Sequence, residues 1–121
     1  MKKHILIVDD EVEIRDLLGL FLTGNGYRVT ALETALEAQR FVQSDKPDLI
    51  ISDLQLEDSD GLEMVDQLKA TLPDTPVILL TGVFFDAQVF RDTLSKRVSA
   101  YLMKTSPLSR IHEEIKRLLG E

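Results

Sequence analysis

The chain contains no cysteine and no tryptophan. Without a thiol there is no disulfide framework, zinc ribbon, haem attachment or cysteine nucleophile. Proline occurs four times and glycine six, too seldom for a low-complexity linker or a collagen-like repeat. Long apolar runs are missing as well. The longest mostly apolar stretch, Val77 to Phe85, falls far short of the roughly 20 residues of a membrane-spanning helix. The start, Met1-Lys2-Lys3-His4, is basic, but only Ile5 to Val8 follow before Asp9, too short for a secretory leader, so a cytoplasmic location is expected. Positive charge is the scarcer sign: 14 Lys and Arg stand against 21 Asp and Glu, a formal charge of −7. No basic stripe exists to displace counterions from phosphates, so neither direct nucleic-acid binding nor membrane insertion is expected.

What is present fits one ordinary domain spanning residues 1–121, with 44% hydrophobic and 29% charged residues. Two kinds of segment alternate. Short apolar runs of strand length are Ile5–Val8, Arg28–Leu32, Leu49–Ile51, Val77–Leu80 and Ala100–Met103. Most are continuous rather than alternating, as strands covered on both faces are. Between them lie helical periods: Ile14, Leu17, Leu18 and Phe21; Leu62, Val65, Leu68 and Leu72; Leu108, Ile111, Ile115, Leu118 and Leu119. Thr34-x-x-Glu37 reads as a capping box opening the second helix. Ser106-Pro107 reads as a cap and first turn opening the fifth, and Gly24-Asn25-Gly26 and Gly120 as helix ends. A fourth helix with thin periodicity runs from near Asp86 to about Leu94. The pattern predicts five β-α pairs forming an α/β fold, a parallel sheet with right-handed crossovers and helices on both faces. Ligands of such sheets bind beyond the carboxyl ends of the strands.

The residues at those ends carry the chemistry. The first strand ends in Asp9-Asp10 with Glu11 beyond, the third in Asp53, the fourth in Thr81-Gly82 and the fifth in Lys104. The bland reading is that Asp10 only caps the helix starting near Val12. Five such residues at equivalent strand ends favour a site. Clustered carboxylates repel unless a cation joins them, and oxygen ligands without His or Cys suit Mg²⁺. An ammonium and a hydroxyl beside a carboxylate nucleophile suit a transferred phosphoryl group.

Ile5-Leu-Ile-Val-Asp9-Asp10-Glu11, Asp48-Leu-Ile-Ile-Ser-Asp53-Leu, Asp60-Gly61-Leu-Glu-Met, Pro76-Val-Ile-Leu-Leu-Thr81-Gly82 and Ala100-Tyr101-Leu-Met-Lys104 resemble the bacterial two-component response-regulator receiver domain. The resemblance covers essentially the whole chain. It implies a flavodoxin-like, doubly wound sheet of order 2-1-3-4-5 with no output domain in this chain. It further implies a phosphorylation-controlled signalling switch rather than a turnover enzyme. Asp53 would accept phosphate from a sensor histidine kinase or a histidine phosphotransfer protein. Asp9, Asp10, Asp53 and the backbone carbonyl of Gln55 would hold Mg²⁺, Asp9 through water. Thr81 would hydrogen-bond the phosphoryl group and Lys104 would pair with it. Thr81 and Tyr101 would change position together, altering a surface on the fourth helix, fifth strand and fifth helix used for self-association or target docking.

Three departures from the family pattern touch loops. Thr105 follows the lysine where proline is usual, and a cis bond there would cost about 2.5–4 kcal/mol. Glu57 stands where a proline usually lies four residues past the phosphoacceptor. Ser99-Ala100 replaces a Gly-Ala before the last strand.

Other readings belong to other classes. A small Mg²⁺-dependent phosphohydrolase using Asp53 would need a general acid that the rim lacks. A flavin carrier would need a phosphate-cradling loop where Asp9-Asp10-Glu11 stands. A degenerate receiver that binds partners without phosphorylation would not need the acidic residues. Asp58-Ser59-Asp60-Gly61 is not a calcium loop, since its first position would be Leu56 and its twelfth Gln67. His4 and His112 lack neighbouring ligands and are expected to be solvated. Val83, Phe84, Phe85 and Phe90 form an apolar cluster that reads either as helix core or as a partly exposed partner surface.

Overall fold

The structure is a computed structural model that describes residues 2–82, 88 and 96–121. Five strands, β1 (His4–Val8), β2 (Arg28–Leu32), β3 (Leu49–Ser52), β4 (Val77–Thr81) and β5 (Ala100–Met103), form one parallel sheet of order β2-β1-β3-β4-β5. Among the described residues there are four helices: α1 (Val12–Gly24), α2 (Ala35–Phe41), α3 (Gly61–Thr71) and α4 (Leu108–Leu119), the last being the helix the sequence places fifth. The helix predicted over Asp86–Leu94 and the Val83, Phe84, Phe85 and Phe90 cluster lie outside the described residues, Gln88 excepted.

Continuous apolar strands make two cores, because successive side chains point to opposite faces. Ile5, Ile7, Leu49, Ile51, Ile78 and Leu80 pack with Leu18 and Leu22 of α1 and Ile111 and Ile115 of α4. Leu6, Val8, Ile50, Val77 and Leu79 pack on the other face with Ala35 and Ala38 of α2 and Met64, Val65 and Leu68 of α3. The edge strands are the open ones: β2 is half-exposed and carries Arg28 and Thr30, and β5 alternates buried and half-buried residues. Pro76 precedes β4, where its missing N–H is not needed, and its carbonyl still accepts from Ile50 N–H at 3.0 Å.

The caps are mostly as the sequence implies. Thr34 and Glu37 make the capping box, and Gly120 ends α4 with φ +74° in the left-handed region. Ser106 is a correction. The cap of α4 is Pro107, extended at ψ 146°, whose carbonyl takes the first helical bonds from Arg110 and Ile111. Leu17 is a second correction: it is 49% exposed, because the buried stripe of α1 centres on Leu18, which the sequence stripe includes, and Leu22, which it omits. Among the described residues every peptide bond is trans, so Lys104-Thr105 carries no cis penalty.

Both histidines correct the expectation of solvation. His4 is 4% exposed. Its Nε2 lies 2.8 Å from the Thr30 hydroxyl and Nδ1 2.9 Å from the Arg28 guanidinium, and its ring meets Phe41 edge-on. Burial, then Arg28, pushes its pKa below 6.5 against the opposing pull of Asp45 and Asp48. His112 packs edge-on against Phe21 and Tyr27, and its Nε2 reaches the Tyr27 hydroxyl at 3.2 Å. Periodicity alone cannot see these partners, which arrive from other strands and helices.

Candidate phosphoacceptor site

The last rungs of the sheet ladder carry the site. Asp9 N–H donates to Leu32 O and Asp53 N–H to Val8 O, both at 3.0 Å, and Lys104 N–H donates to Thr81 O at 2.8 Å. Asp9, Asp53 and Lys104 are therefore each held one residue past a strand by backbone bonds that a loop would lack. Asp9, Asp10, Glu11 and Asp53 each offer a carboxylate oxygen, all within 4.8 Å of one another. Asp10, Glu11, Asp53, Leu54, Gln55, Thr81, Gly82 and Lys104 line a cleft of about 320 Å³. Every predicted rim residue thus reaches one place. Tyr101 is half-buried on β5, opposite Leu79, and shares a sheet face with Leu79 and Thr81 by the two-residue period.

Lys104 organises the charges. Its Nζ lies 2.5 Å from Glu11 Oε1, 3.0 Å from Asp9 Oδ2 and 3.1 Å from Asp53 Oδ2. Burial works against its charge, yet the hydrogen bonds to Glu11, Asp9 and Asp53 outweigh burial and hold the ammonium well above its ordinary pKa. Asp9 is 2% exposed. Its pKa is raised by burial and by the Asp53 charge, with the Glu11 N–H and Lys104 pulling the other way. Asp10 does not cap α1: the cap is Glu11, with no side-chain hydrogen bond, and Asp9 Oδ1 instead accepts from Glu11 N–H at 2.9 Å. Asp10 is left at the cleft.

The floor under Asp53 is unusually close. Gly61, the first residue of α3, donates its N–H to Leu54 O at 2.7 Å. A Cβ on Gly61 would lie 2.0 Å from Asp53 O. Asp60 caps α3 through Leu62 N–H at 2.7 Å, and Gln55 bridges Asp60, closing the loop after Asp53. Asp58 of the same loop accepts from Ala35 N–H at 2.9 Å and Leu36 N–H at 3.1 Å, capping α2 from outside. The Asp58–Gly61 run therefore serves helix ends, not calcium.

Sequence reasoning missed two contributors. Glu11 stands beside the Asp9-Asp10 pair with nothing in the sequence to assign it Lys104, and Arg15 Nη1 donates to Asp9 O at 2.7 Å. Arg15 lies four residues after Glu11 on α1, but nothing in that spacing says its target is a carbonyl.

A doubly wound parallel sheet with an acidic cleft at its carboxyl edge defines the class of flavodoxin-like α/β domains whose sites lie beyond the strand ends. The model of the response regulator receiver domain matches residues 5–116, and the chain belongs to that family. It is 33% identical to the response regulator MprA of Mycobacterium ulcerans over 98% of this chain and 51% of that protein. It is 41% identical to the transcriptional regulatory protein GlrR of Escherichia coli over 65% of this chain and 18% of that protein. The chain thus spans about half or less of the curated relatives it matches. Among solved structures, the response regulator TrrA of Thermotoga maritima, in complex with Mg²⁺ and BeF, is 32% identical with a TM-score of 0.85, covering 97% of this chain and 99% of that one. A CheY-like receiver domain from Methanospirillum hungatei superposes with a TM-score of 0.90 at 29% identity, covering 99% and 95%. The flavodoxin-like fold and the two-component signalling class are established by these matches. Among the described residues, no helix is long and apolar enough to cross a membrane.

Proposed function

We propose that this chain is a phosphorylation-controlled switch that takes a phosphoryl group onto Asp53 from a histidine kinase or histidine phosphotransfer protein. One observation carries the reading: the Asp53 carboxylate and the Lys104 ammonium stand 3.1 Å apart in a cleft lined also by Thr81, Asp10 and Glu11, with the Asp9 carboxylate clustered beside them. An oxygen of Asp53 would form the new O–P bond as the donor's N–P bond breaks, the electron pair leaving with the imidazole nitrogen. Lys104 would pair with the phosphoryl oxygens and the Thr81 hydroxyl would donate to one of them.

The site fits a hard divalent cation. Its donors are oxygens without His or Cys, and Lys104 alone cannot neutralise four carboxylates. Asp10, Asp53 and the Gln55 carbonyl would hold Mg²⁺, with Asp9 acting through water; the ion, when bound, would offset charge on the phosphoryl oxygens. TrrA, described in complex with Mg²⁺ and BeF, supports this assignment.

The signal would pass through β4 and β5. Thr81 ends β4, and Tyr101 shares its sheet face, so a shift of the Thr81 hydroxyl toward the phosphate would free space for the Tyr101 ring to turn inward. The surface of β5 and α4, with the predicted fourth helix, would then dock a second copy or a target. The chain would promote its own phosphorylation and dephosphorylation without turnover of other substrates, in the cytoplasm. With a formal charge of −7 and no basic stripe, the chain would make no direct nucleic-acid contact itself. The deciding experiment is intact-mass measurement after acetyl phosphate with Mg²⁺. A gain of one phosphoryl group, lost in Asp53→Asn, is expected; a gain that survives in Asp53→Asn refutes the acceptor.

A further inference from the structure

Lys104 has three N–H donors, and each is committed to a different carboxylate: Glu11, Asp9 and Asp53. Phosphorylation of Asp53 would replace one charge by about two and add three acceptor oxygens, while Lys104 has only the donor it already gives Asp53 to offer them. A second bond to the phosphoryl group requires Glu11 or Asp9 to yield. Asp9 has little freedom to do so: it is 2% exposed, its Oδ1 accepts from Glu11 N–H, and its backbone is fixed by a ladder bond, so its carboxylate cannot turn out to water. The Glu11 side chain is 57% exposed and can return to water. It also makes the shortest of the three contacts.

We propose that Glu11 is the resting counter-ion of Lys104, a positioning residue that keeps one of the ammonium's donors from the incoming phosphoryl group and must release it on phosphorylation. The inference rests on the reading of Asp53 as the acceptor. Glu11 acts here as a brake: it occupies a donor the phosphoryl group needs and adds like charge at the mouth of the cleft. Its loss therefore lowers the barrier to phosphorylation even though it removes an ion pair.

Two measurements test this. At saturating Mg²⁺, Glu11→Gln keeps the side-chain volume and is expected to be labelled by acetyl phosphate about two- to fivefold faster than wild type, the span of an exposed ion pair. The advantage should shrink at high salt, which screens the wild-type carboxylate. In the wild-type chain, the Glu11 carboxyl ¹³C resonance should move when beryllofluoride is added over Mg²⁺ alone, as Lys104 leaves. A labelled wild type with an equal or slower Glu11→Gln variant overturns the brake. So does a Glu11 resonance that beryllofluoride leaves unmoved, and that arm needs no variant to fold. A wild-type chain that takes up no phosphoryl group overturns both this inference and the reading beneath it.

Discussion

Replacing Gly61 by alanine sets two opposed effects against each other at one atom. Elsewhere in a helix the change is favourable, because alanine lowers the entropy of the unfolded chain, by about 0.4–1 kcal/mol. At Gly61 the new Cβ would stand 2.0 Å from Asp53 O and 2.7 Å from Leu54 O, whereas real Cβ contacts essentially never fall under 3.0 Å. Backbone must therefore move by about 1 Å, and the atoms to be moved belong to Asp53, the proposed phosphoacceptor, and to Leu54. Such overpacking costs about 1–3 kcal/mol. Weakening the Gly61 N–H to Leu54 O bond costs about 0.5–1.5 kcal/mol more. The clash wins, and a net loss of about 1–3 kcal/mol is expected. Gly19 of α1 is the internal control: a Cβ there meets nothing within 4 Å, so Gly19→Ala should stabilise by about 0.5–1 kcal/mol. Urea unfolding of both variants reads the two signs. The site gives a second readout, since a 1 Å misplacement of a reacting group can cost about 10²-fold in rate. Gly61→Ala should thus be labelled by acetyl phosphate far more slowly than wild type under conditions where it remains folded. A Gly61→Ala variant as stable as wild type, with Asp53 labelled at the normal rate, would refute the close-approach argument.

The other expectations are shorter. Lys104→Ala leaves the carboxylates facing one another, so it should melt lower without Mg²⁺ and show a larger Mg²⁺-induced rise in Tm; an unchanged rise would mean Lys104 does not compete for those oxygens. His4, whose pKa is pushed below 6.5, binds a proton in the unfolded chain before it does in the folded one, so its contribution is complete above about pH 6.5 and declines as pH falls into the window beneath. Chemical denaturation from pH 5 to 7 should show that decline in wild type and a flatter profile in His4→Gln. Asp58, held below its usual range by the Ala35 and Leu36 N–H groups, stabilises above about pH 3.8 and loses that contribution as pH falls through its depressed value. Asp58→Ala should cost about 0.5–2 kcal/mol in urea at neutral pH, as a lost helix cap does, and no loss would mean that α2 is capped adequately by Thr34 alone.

The local sequence determined the elements and their polarity. Apolar runs of only four or five residues bounded by turn residues are too short for helices and fit covered strands, and i, i+3, i+4 stripes bury one helix face, so the β-α alternation and the rim positions of Asp9, Asp10, Asp53, Thr81 and Lys104 follow from length, period and punctuation. The family motifs carried the strand order. What the sequence could not express was contact between segments far apart in the chain. That Lys104 meets Glu11, 93 residues away, that Arg15 grips the Asp9 carbonyl, and that Asp58 caps α2 each depend on where a crossover delivers a side chain. The same holds for His4: a histidine opening a strand looks solvated until β2 brings Arg28 and Thr30 alongside and Phe41 covers it. Hydrophobic periodicity fixes faces because burial is proportional to apolar area and needs no specific partner. Hydrogen bonds and ion pairs are directional and short-ranged, and so only the tertiary structure decided which charge at the cleft answers which.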